Sequence, residues 1–558
     1  MKRDPLDLGA AVIGLVTVVL ANVLYLTGMF EVLDPMTSMD PYYIQLAARP
    51  MSTIFAEEPG FGPLYALWLK PFVALLGDPL VVFTANVAAL SMGVSALLYL
   101  HVLLRTRRAA AGACAALFFL VSDFNVPLPG KVANFALLTI LAGLVVSQLV
   151  PAGARRLSVI AVSVLLAAYA RPELYPAAVA LCVAAFWIAR SEVQATERRV
   201  WLWPAAVLTA IVILAIGVGT PIFSARHGNE RLFIAFREHF AWNWSRWRSE
   251  GGTFLSIWRK EFGDAESTLQ AFAANPHAVA RHLADNFLGT IGFVAVSAFD
   301  HYPLLAPVTR PALVKAESLL SSAAVFGALI VVSARRDWRR RMVEAHGDTL
   351  LAYAAVAACS IGSATLIYPL ARYLIFPGTI LVMAAALAAS VFLPARSLSP
   401  GDRGRGPRWR GRLAAALVCL AAVPKPFVLP SAYEVAGSPF KGRIEVARTV
   451  TDTVTFIRSL GLPQPVHVLT LTDGIGELLG PGFEEIKVWQ KGDQSLETYV
   501  NDRHVDLIVT LEAGQQSFRL DDPYWTLILN TPELAGYRRL SVPHHEVPRV
   551  YVRGDLLK

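Results

Sequence analysis

Charged residues are scarce in this sequence. Asp, Glu, Lys and Arg together account for 16% of its 558 residues, whereas hydrophobic residues account for 55%. The mean hydropathy is +0.49. Because roughly a quarter of the residues in an average soluble domain are charged, this composition excludes that class and predicts a polytopic membrane protein.

Cysteine is also rare. The four cysteines, Cys114, Cys182, Cys359 and Cys419, all lie inside apolar runs, and no two of them have the spacing of a metal site. We therefore expect small buried core residues rather than a disulfide framework, a redox pair or a zinc site.

The motifs of several common enzyme classes are missing. The sequence contains no Walker phosphate loop, no glycine-rich dinucleotide fingerprint and no His-Glu-x-x-His zinc helix. The formal net charge of +8 comes largely from short basic segments between apolar runs, such as 335–341. These segments indicate membrane orientation, so we predict membrane lipids as partners and no nucleic acid.

Apolar runs of about 20 residues are long enough to cross a bilayer, and shorter runs cross when neighbouring helices bury them. Basic segments mark the cytoplasmic end of each crossing. On these criteria we predict about eleven spans, at 8–30, 80–104, 109–122, 132–150, 157–170, 173–188, 201–220, 312–333, 349–367, 374–393 and 413–428. The runs 63–76 and 287–299 are assigned to the interface, because counting either as a span would put basic segments on the wrong side.

The basic residues Lys2 and Arg3 before the first span predict a cytoplasmic N-terminus, and the odd number of spans then predicts an extracytoplasmic C-terminus, in the inner (plasma) membrane. The fold class is then a polytopic α-helical membrane protein with a C-terminal extracytoplasmic α/β domain. We predict a transmembrane module over 1–430, with outer loops at 31–79 and 221–311, and a soluble domain over 431–558. The first span lacks a small-residue cleavage site, so we expect a retained anchor.

Alternating strands and helices are expected in the C-terminal domain. Runs rich in β-branched residues predict strands at 466–471, 486–489, 505–511 and 550–552. Helices are predicted at 446–460 and 494–501 between them. This order of elements is typical of a small α/β domain.

The first outer loop carries an acid beside two tyrosines, Asp40, Tyr42 and Tyr43. Asp followed by Pro is a common helix start, with Asp as the N-cap. An acid at the membrane surface is equally suited to accept a proton from an incoming hydroxyl or amine. The two interpretations are compatible, so Asp40 is the candidate base and the tyrosines are candidate donor-binding residues.

Glu57 and Glu58 follow in the same loop. They could orient the acceptor or hold a divalent cation, although a pair of loop glutamates is more often simply solvated. We keep them as candidate second acids and predict no defined metal site or other cofactor.

Basic residues occur at three predicted outer ends, Lys131, Arg171 and Arg372. A charge at this depth is unfavourable without a partner, and a lipid phosphate would satisfy it through charge-assisted hydrogen bonds. The alternative is that these side chains extend to ordinary phospholipid headgroups. We predict a lipid-phosphate site from them and from Tyr373, the neighbour of Arg372.

The second outer loop combines aromatic and polar residues that suit a sugar ring. Aromatic residues also anchor proteins at membrane interfaces, and that role is the more common one for any single Trp. We expect both roles in this loop. The candidate sugar contacts are His227, Arg231, His239, Trp242 and Trp244.

Four short motifs precede the α/β domain, namely Asp40-Pro41-Tyr42-Tyr43, Gly62-Pro63-Leu64-Tyr65, Arg171-Pro172-Glu173 and Arg372-Tyr373. With them in this order, the chain resembles the GT-C glycosyltransferases. The nearest subgroup comprises the protein O-mannosyltransferases and the lipid A aminoarabinose transferases. This chain has Asp40-Pro41 where that subgroup has Asp-Glu, and Phe61-Gly62-Pro63-Leu64 where it has Lys-Pro-Pro-Leu.

The resemblance implies a polyprenyl-phosphate sugar donor and inverting transfer of one sugar to an extracytoplasmic acceptor, which is a cell-envelope glycan, glycolipid or protein. It also implies an acid in the first outer loop as base, the position that Asp40 matches. The oligosaccharyltransferase branch is less similar, because its Trp-Trp-Asp motif is missing from the outer domain. The alternative function is a lipid or saccharide transporter, although the sequence has neither paired repeats nor interrupted spans.

Overall fold

The structure is a computed structural model of the chain. It describes residues 7–30, 33, 35, 40–57, 63–122, 124–126, 128, 130–193, 198–221, 228–249, 254–297, 326–327, 329–330, 334–392, 441–470, 475–486, 495–510, 523–545 and 549–557. The chain divides into two compact units. The first, here called the helical unit, comprises Met1–Thr27, Phe55–Tyr65 and Ala89–Val428. The second, the loop–sheet unit, comprises Gly28–Ile54, Ala66–Ala88 and Leu429–Lys558.

Helices dominate the chain before its C-terminal domain. In chain order they are α1 (Leu8–Met29), α2 (Asp40–Ala48), α3 (Met51–Glu57), α4 (Leu64–Leu76), α5 (Pro79–Thr106), α6 (Ala109–Leu120), α7 (Val132–Val146), α8 (Ala154–Ala168), α9 (Tyr175–Val193), α10 (Leu202–Gly217), α11 (Gly228–Arg248), α12 (Phe254–Phe262), α13 (Thr268–Ala274), α14 (Pro276–Ser297), α15 (Arg336–Leu366) and α16 (Ala371–Phe392).

Seven helical segments of the described chain are long and apolar enough to cross a membrane, judged by length and composition. They are Leu8–Thr27, Pro79–Thr106, Val132–Leu149, Pro172–Glu192, Arg199–Gly217, Arg336–Leu366 and Ala371–Ser390. The predicted class of helical membrane protein is confirmed at this level, while the number of eleven spans stays a prediction. The predicted span 413–428 and most of 312–333 lie outside the described residues.

Two apolar helices are shorter than a full span, Leu64–Leu76 and Ala109–Leu120. The first coincides with the run that we assigned to the interface. Helix α14 includes most of the second interfacial run. Both elements are therefore helical, and their position at the membrane surface stays a prediction.

Buried charge gathers at one end of the helical unit. Arg105 Nη2 donates to Asp348 Oδ1 at 2.7 Å, and Arg156 Nη1 donates to Asp348 Oδ2 at 2.8 Å. These residues lie near the end of α5, the start of α8 and the first half of α15. Because α8 rises about 18 Å between Arg156 and its last residue, Ala168, the residues that follow α8 lie at the end opposite to this charge.

Helices α11 to α14 form a separate helical layer with its own aromatic core. Phe236, Phe240, Trp244, Trp258 and Phe262 are buried in this cluster. Ring centres of Phe240 and Phe262 lie 4.7 Å apart in an edge-to-face arrangement, which aromatic pairs favour. The predicted outer loop is thus largely folded, and its aromatic residues supply the core.

The C-terminal domain is a small α/β fold, as predicted. Its strands are β1 (Val466–Thr470), β2 (Phe483–Ile486), β3 (Leu507–Thr510), β4 (Tyr537–Ser541) and β5 (Arg549–Arg553), and its helices are α17 (Lys441–Ser459), α18 (Ile475–Leu479), α19 (Leu496–Asp502) and α20 (Pro523–Asn530). The sheet order is β2-β1-β3-β5-β4. Strands β1, β2 and β3 pair in parallel, whereas β5 pairs antiparallel with β3 and with β4.

Strand β4 was not predicted, because only two of its five residues are apolar. One of them, Tyr537, is buried, whereas Arg538 and Arg539 are exposed. The predicted strand 486–489 begins earlier in the structure, at Phe483, and its last three residues lie outside the described ones.

Candidate functional site

Two guanidinium groups approach one tyrosine ring where α8 and α15 end. The Arg171 Cζ atom lies 4.7 Å from the centre of the Tyr373 ring, and the Arg372 Cζ atom lies 5.7 Å from it. Arg171 follows the last turn of α8, and Arg372 lies in the first turn of α16. Three of the residues predicted for the lipid-phosphate site are therefore together, and we call them the arginine–tyrosine cluster.

The charge of this cluster is only partly balanced. Arg171 forms a close ion pair with Glu173, whose Oε1 lies 2.7 Å from Nε and 2.5 Å from Nη2. Both side chains are more than nine-tenths buried. Within the described part of the chain, Arg372 has no carboxylate partner, and its side chain is half-buried. One positive charge is left at the end of the helices, which suits an anion.

An aromatic group adjoins Arg372. The ring centre of His239 lies 4.4 Å from that of Trp242 and 5.5 Å from that of Tyr368, and the last two are 5.6 Å apart. His239 Nδ1 contacts the Ala235 carbonyl oxygen at 2.6 Å, whereas Nε2 is buried without a partner among the described residues. Burial lowers the pKa of His239, and the positive charge of Arg372 contributes in the same direction.

Trp242 presents the accessible surface of this aromatic group. Its side chain is 48% exposed, whereas His239 is 3% exposed. The apolar face of a sugar can stack on an exposed Trp side chain. His239 and Trp242, two of the predicted sugar contacts, are therefore neighbours, and their role in sugar binding stays a prediction.

A buried amide–imidazole network attaches helices α11 and α14 to the end of α15. Asn286 Nδ2 donates to the Thr365 and Ile367 carbonyl oxygens at 3.1 and 3.0 Å. Asn243 Nδ2 donates to Asn286 Oδ1 at 2.8 Å and to His282 Nδ1 at 2.9 Å. The last carbonyl groups of a helix have no partners within it, so these side chains satisfy groups that would otherwise be left open.

His282 completes this network in its neutral form. Its Nε2 lies 3.3 Å from the Leu366 carbonyl oxygen, which assigns the proton to that nitrogen and leaves Nδ1 as the acceptor for Asn243. Burial lowers the pKa of His282 to about 4. The segment from Tyr368 to Arg372 therefore leaves α15 from a fixed point, which positions the aromatic group and the arginine–tyrosine cluster.

Lys131 has a structural role beyond the one predicted. Its Nζ donates to the Asn125, Val126 and Leu128 carbonyl oxygens at 3.0, 2.8 and 2.8 Å. An ammonium group has three protons, and three backbone carbonyls accept them here. The side chain is buried and holds the turn between α6 and α7. This geometry gives Lys131 a structural role in the turn, and its predicted contact with a lipid phosphate stays a prediction.

Asp40 lies in the loop–sheet unit, at the start of α2, as the Asp-Pro pair predicts. Asp40 and Tyr43 are each 2% exposed, and Tyr42 packs its ring edge-on against Tyr43 with the centres 5.6 Å apart. The other end of α2 is capped by Lys70 Nζ, which donates to the Ala47 and Arg49 carbonyl oxygens at 3.1 and 2.7 Å. The acid is thus a buried carboxylate on a short helix that is held at its C-terminus.

The remaining predicted residues separate into two groups. Trp244 is 3% exposed and donates from Nε1 to Glu261 Oε1 at 2.7 Å, so it belongs to the core of the α11–α14 layer. Glu58 and His227 lie outside the described residues, as do the side chains of Glu57 and Arg231. In the described ranges, no group of three or more His, Cys, Asp or Glu residues is arranged to hold a metal ion.

Sequence reasoning missed two contributors to this site. Glu173 belongs to the Arg-Pro-Glu motif. It lies two residues after Arg171, and this spacing could have indicated the ion pair. Tyr368 stood within the Tyr368–Tyr373 segment, but nothing in the sequence connected it with His239, which is 129 residues away.

Comparisons with protein-family models and with curated proteins found no match for this chain.

Proposed function

We propose that this protein is a membrane glycosyltransferase that moves a single sugar from a polyprenyl-phosphate donor to an acceptor outside the cytoplasm. The observation that carries the proposal is the arginine–tyrosine cluster, in which two guanidinium groups share one tyrosine ring and one positive charge is unbalanced. A phosphate group of a lipid matches this charge and can accept hydrogen bonds from the planar fork of Arg372.

The aromatic group supports the same function. A sugar attached to the bound phosphate would stack on the exposed side chain of Trp242, whose ring contacts those of His239 and Tyr368. Sugar rings stack on aromatic faces through their apolar C–H surface. The site thus offers a cation for the phosphate and an aromatic surface for the sugar.

The proposed chemistry is an inverting displacement at the anomeric carbon. The acceptor oxygen forms the new bond to that carbon while the bond to the phosphate oxygen breaks, and the electron pair leaves with the polyprenyl phosphate. Arg372 stabilises the charge that develops on this leaving group. Asp40, assigned by the resemblance to GT-C enzymes, takes the acceptor proton.

The donor is tested first with purified protein in vesicles and a labelled polyprenyl-phosphate sugar. We expect label on an acceptor, and we expect Arg372→Gln to weaken donor use by roughly tenfold or more, the scale of a lost charged hydrogen bond. Arg340→Gln is the matched control, because Arg340 is an exposed arginine that pairs with Glu344 one turn away in α15. Equal activity of Arg372→Gln and Arg340→Gln would contradict the assignment of Arg372.

The base is tested with Asp40→Asn, which keeps the size and the capping ability of the side chain. We expect this variant to fold normally and to lose transfer. Near-normal turnover of Asp40→Asn would overturn the assignment of Asp40 as base, while leaving the donor site intact.

A lipid or saccharide transporter is the second candidate. The buried cluster of Arg105, Arg156 and Asp348 favours it, because ionisable residues inside a membrane often mark a transport pathway. However, Arg156 also donates to the Ser147 and Val150 carbonyl oxygens, which is the pattern of a structural tie. In the vesicle experiment, label that crosses the bilayer without appearing on an acceptor would support transport.

A further inference from the structure

One arginine of the C-terminal domain joins three segments of the loop–sheet unit. Arg458, in the last turn of α17, places Nη1 2.6 Å from Asp78 Oδ2 in the turn between α4 and α5. Its Nη2 and Nε donate to the Leu478 and Leu479 carbonyl oxygens at 2.7 and 3.0 Å. The planar fork of a guanidinium binds several acceptors in a rigid, spread geometry, which the compact ammonium group of a lysine does not reproduce.

Asp78 has two functions at this junction. Its Oδ1 accepts hydrogen bonds from the Leu80 and Val81 amides at 2.8 and 3.4 Å, so it caps the start of α5. Partial burial tends to raise the pKa of Asp78, but the hydrogen bond from Arg458 and the cap outweigh it and hold the pKa below its usual value. Asp78 is therefore charged at neutral pH, and the ion pair is intact.

The surfaces around this pair fit closely. Gly480 has a φ angle of +89°, and a Cβ atom there would lie 3.6 Å from both Pro79 and Arg458. Leu80 packs against the buried core of the C-terminal domain, which includes Val454, Ile457 and Leu478. The first turn of α5 thus continues the core of this domain.

The junction reaches the helix that carries Asp40. Helix α18, whose last carbonyl groups bind Arg458, packs against α2. Lys70 holds the other end of α2 from α4. A short helix of nine residues has little stability of its own, so its position depends on these tertiary contacts.

We propose that the C-terminal domain positions the Asp40 helix, and that Arg458 is the positioning residue that locks the domain to the first loop through Asp78. The effect on rate rests on the proposed function, whereas the effect on α2 does not. Arg458 acts through α18 and α2 and touches no substrate.

The test compares Arg458→Met, Asp78→Asn and the double variant in the full-length protein. Asp78→Asn can keep the cap of α5 at Oδ1, and it removes the charge and the acceptor that Oδ2 offers to Arg458. We expect Arg458→Met to accelerate hydrogen exchange of the α2 amides by roughly tenfold or more, because the loss of even one charged hydrogen bond has this scale. The double variant should exchange no faster than Arg458→Met, because both changes remove the same pair. Arg458→Lys should restore part of the protection.

Strand β3, in the interior of the C-terminal sheet, is the internal control. Its exchange should stay unchanged, and turnover by Arg458→Met should fall while the KM for the donor changes little. Unchanged hydrogen exchange of the α2 amides in Arg458→Met would overturn the proposal. Equal acceleration in β3 would also overturn it, because that result would mean that the whole C-terminal domain unfolds. If Arg458→Met accelerates hydrogen exchange only in α2, but the wild-type protein has no transferase activity, the positioning role is upheld and the proposed function is overturned.

Discussion

The guanidinium group of Arg171 lies on the ring of Tyr373, with 4.7 Å between Cζ and the ring centre. The negative face of an aromatic ring attracts a cation, and the attraction is stronger when water is excluded. Arg171 is 6% exposed and Tyr373 is 8% exposed, so this contact is largely dry. The ring therefore helps to hold two like charges in one place.

Replacing Tyr373 separates the role of this ring from that of its hydroxyl. Tyr373→Phe keeps the aromatic face, so we expect donor use close to that of the wild type. Tyr373→Leu removes the face and leaves Arg171 and Arg372 without their shared partner, so the KM for the donor should rise roughly tenfold. Steady-state kinetics with the labelled donor measure both. A Phe variant as impaired as the Leu variant would assign the effect to the hydroxyl.

Trp242 and Trp244 form a matched pair on α11, because one is exposed and the other is buried. Trp244→Ala should destabilise the protein by about 3–5 kcal/mol, since it empties a site in the aromatic core. Trp242→Ala should change stability by less than about 1 kcal/mol and lower sugar transfer. Thermal inactivation in detergent and transfer assays provide the two readouts. Loss of stability in both variants would remove Trp242 from the sugar site.

The sequence predicted some parts of this site and missed others for physical reasons. Arg171 and Arg372 were recognisable because a charge at the end of an apolar span is unfavourable unless something pairs with it. Lys131 satisfied the same rule, but backbone carbonyls of its own turn supply its partners, and a turn conformation is not readable from residue types. Local sequence identifies an unusual charge, and only the fold identifies its partner.

The helices show the same contrast between what residue types predict and what depends on contacts in the fold. Long apolar runs predicted α1, α5 and the part of α15 from residue 349 onward, because their signal is the composition of the helix itself. The attachment of α14 to α15 was not predictable, since Asn286 and the carbonyl groups that it binds are about 80 residues apart in sequence. Such contacts depend on packing between distant elements, to which hydrophobic periodicity is insensitive.

The pH dependence of this attachment follows from the neutral state of His282. Its pKa is about 4 in the folded protein, below the ordinary value of 6.5. As the pH falls, His282 is therefore protonated in the unfolded chain before it is protonated in the folded protein. Its contribution to the free energy of unfolding is fully present above pH 6.5 and is lost as the pH falls towards 4. The loss amounts to up to about 3 kcal/mol. Melting temperatures of the wild type and His282→Gln should converge over this range.

His277 provides the control for that experiment. It lies on the same helix, α14, but its side chain is exposed. His277→Gln should follow the wild type at every pH, because the His277 side chain is exposed to solvent in the folded protein. A constant difference between the wild type and His282→Gln from pH 7.5 to 4.5 would show that His282 does not titrate with folding.

Asp348 neutralises two buried arginines, and the two kinds of variant in this cluster should differ in severity. Asp348→Asn leaves Arg105 and Arg156 facing each other without a counter-charge, which should destabilise the protein by about 3–5 kcal/mol. Arg105→Met keeps the neutral pair of Arg156 and Asp348 and fills the space with an apolar chain, so it should be much milder. The recovery of folded protein after detergent extraction and its melting temperature measure the difference. If Arg105→Met proves as damaging as Asp348→Asn, the cluster depends on every hydrogen bond rather than on its charge balance.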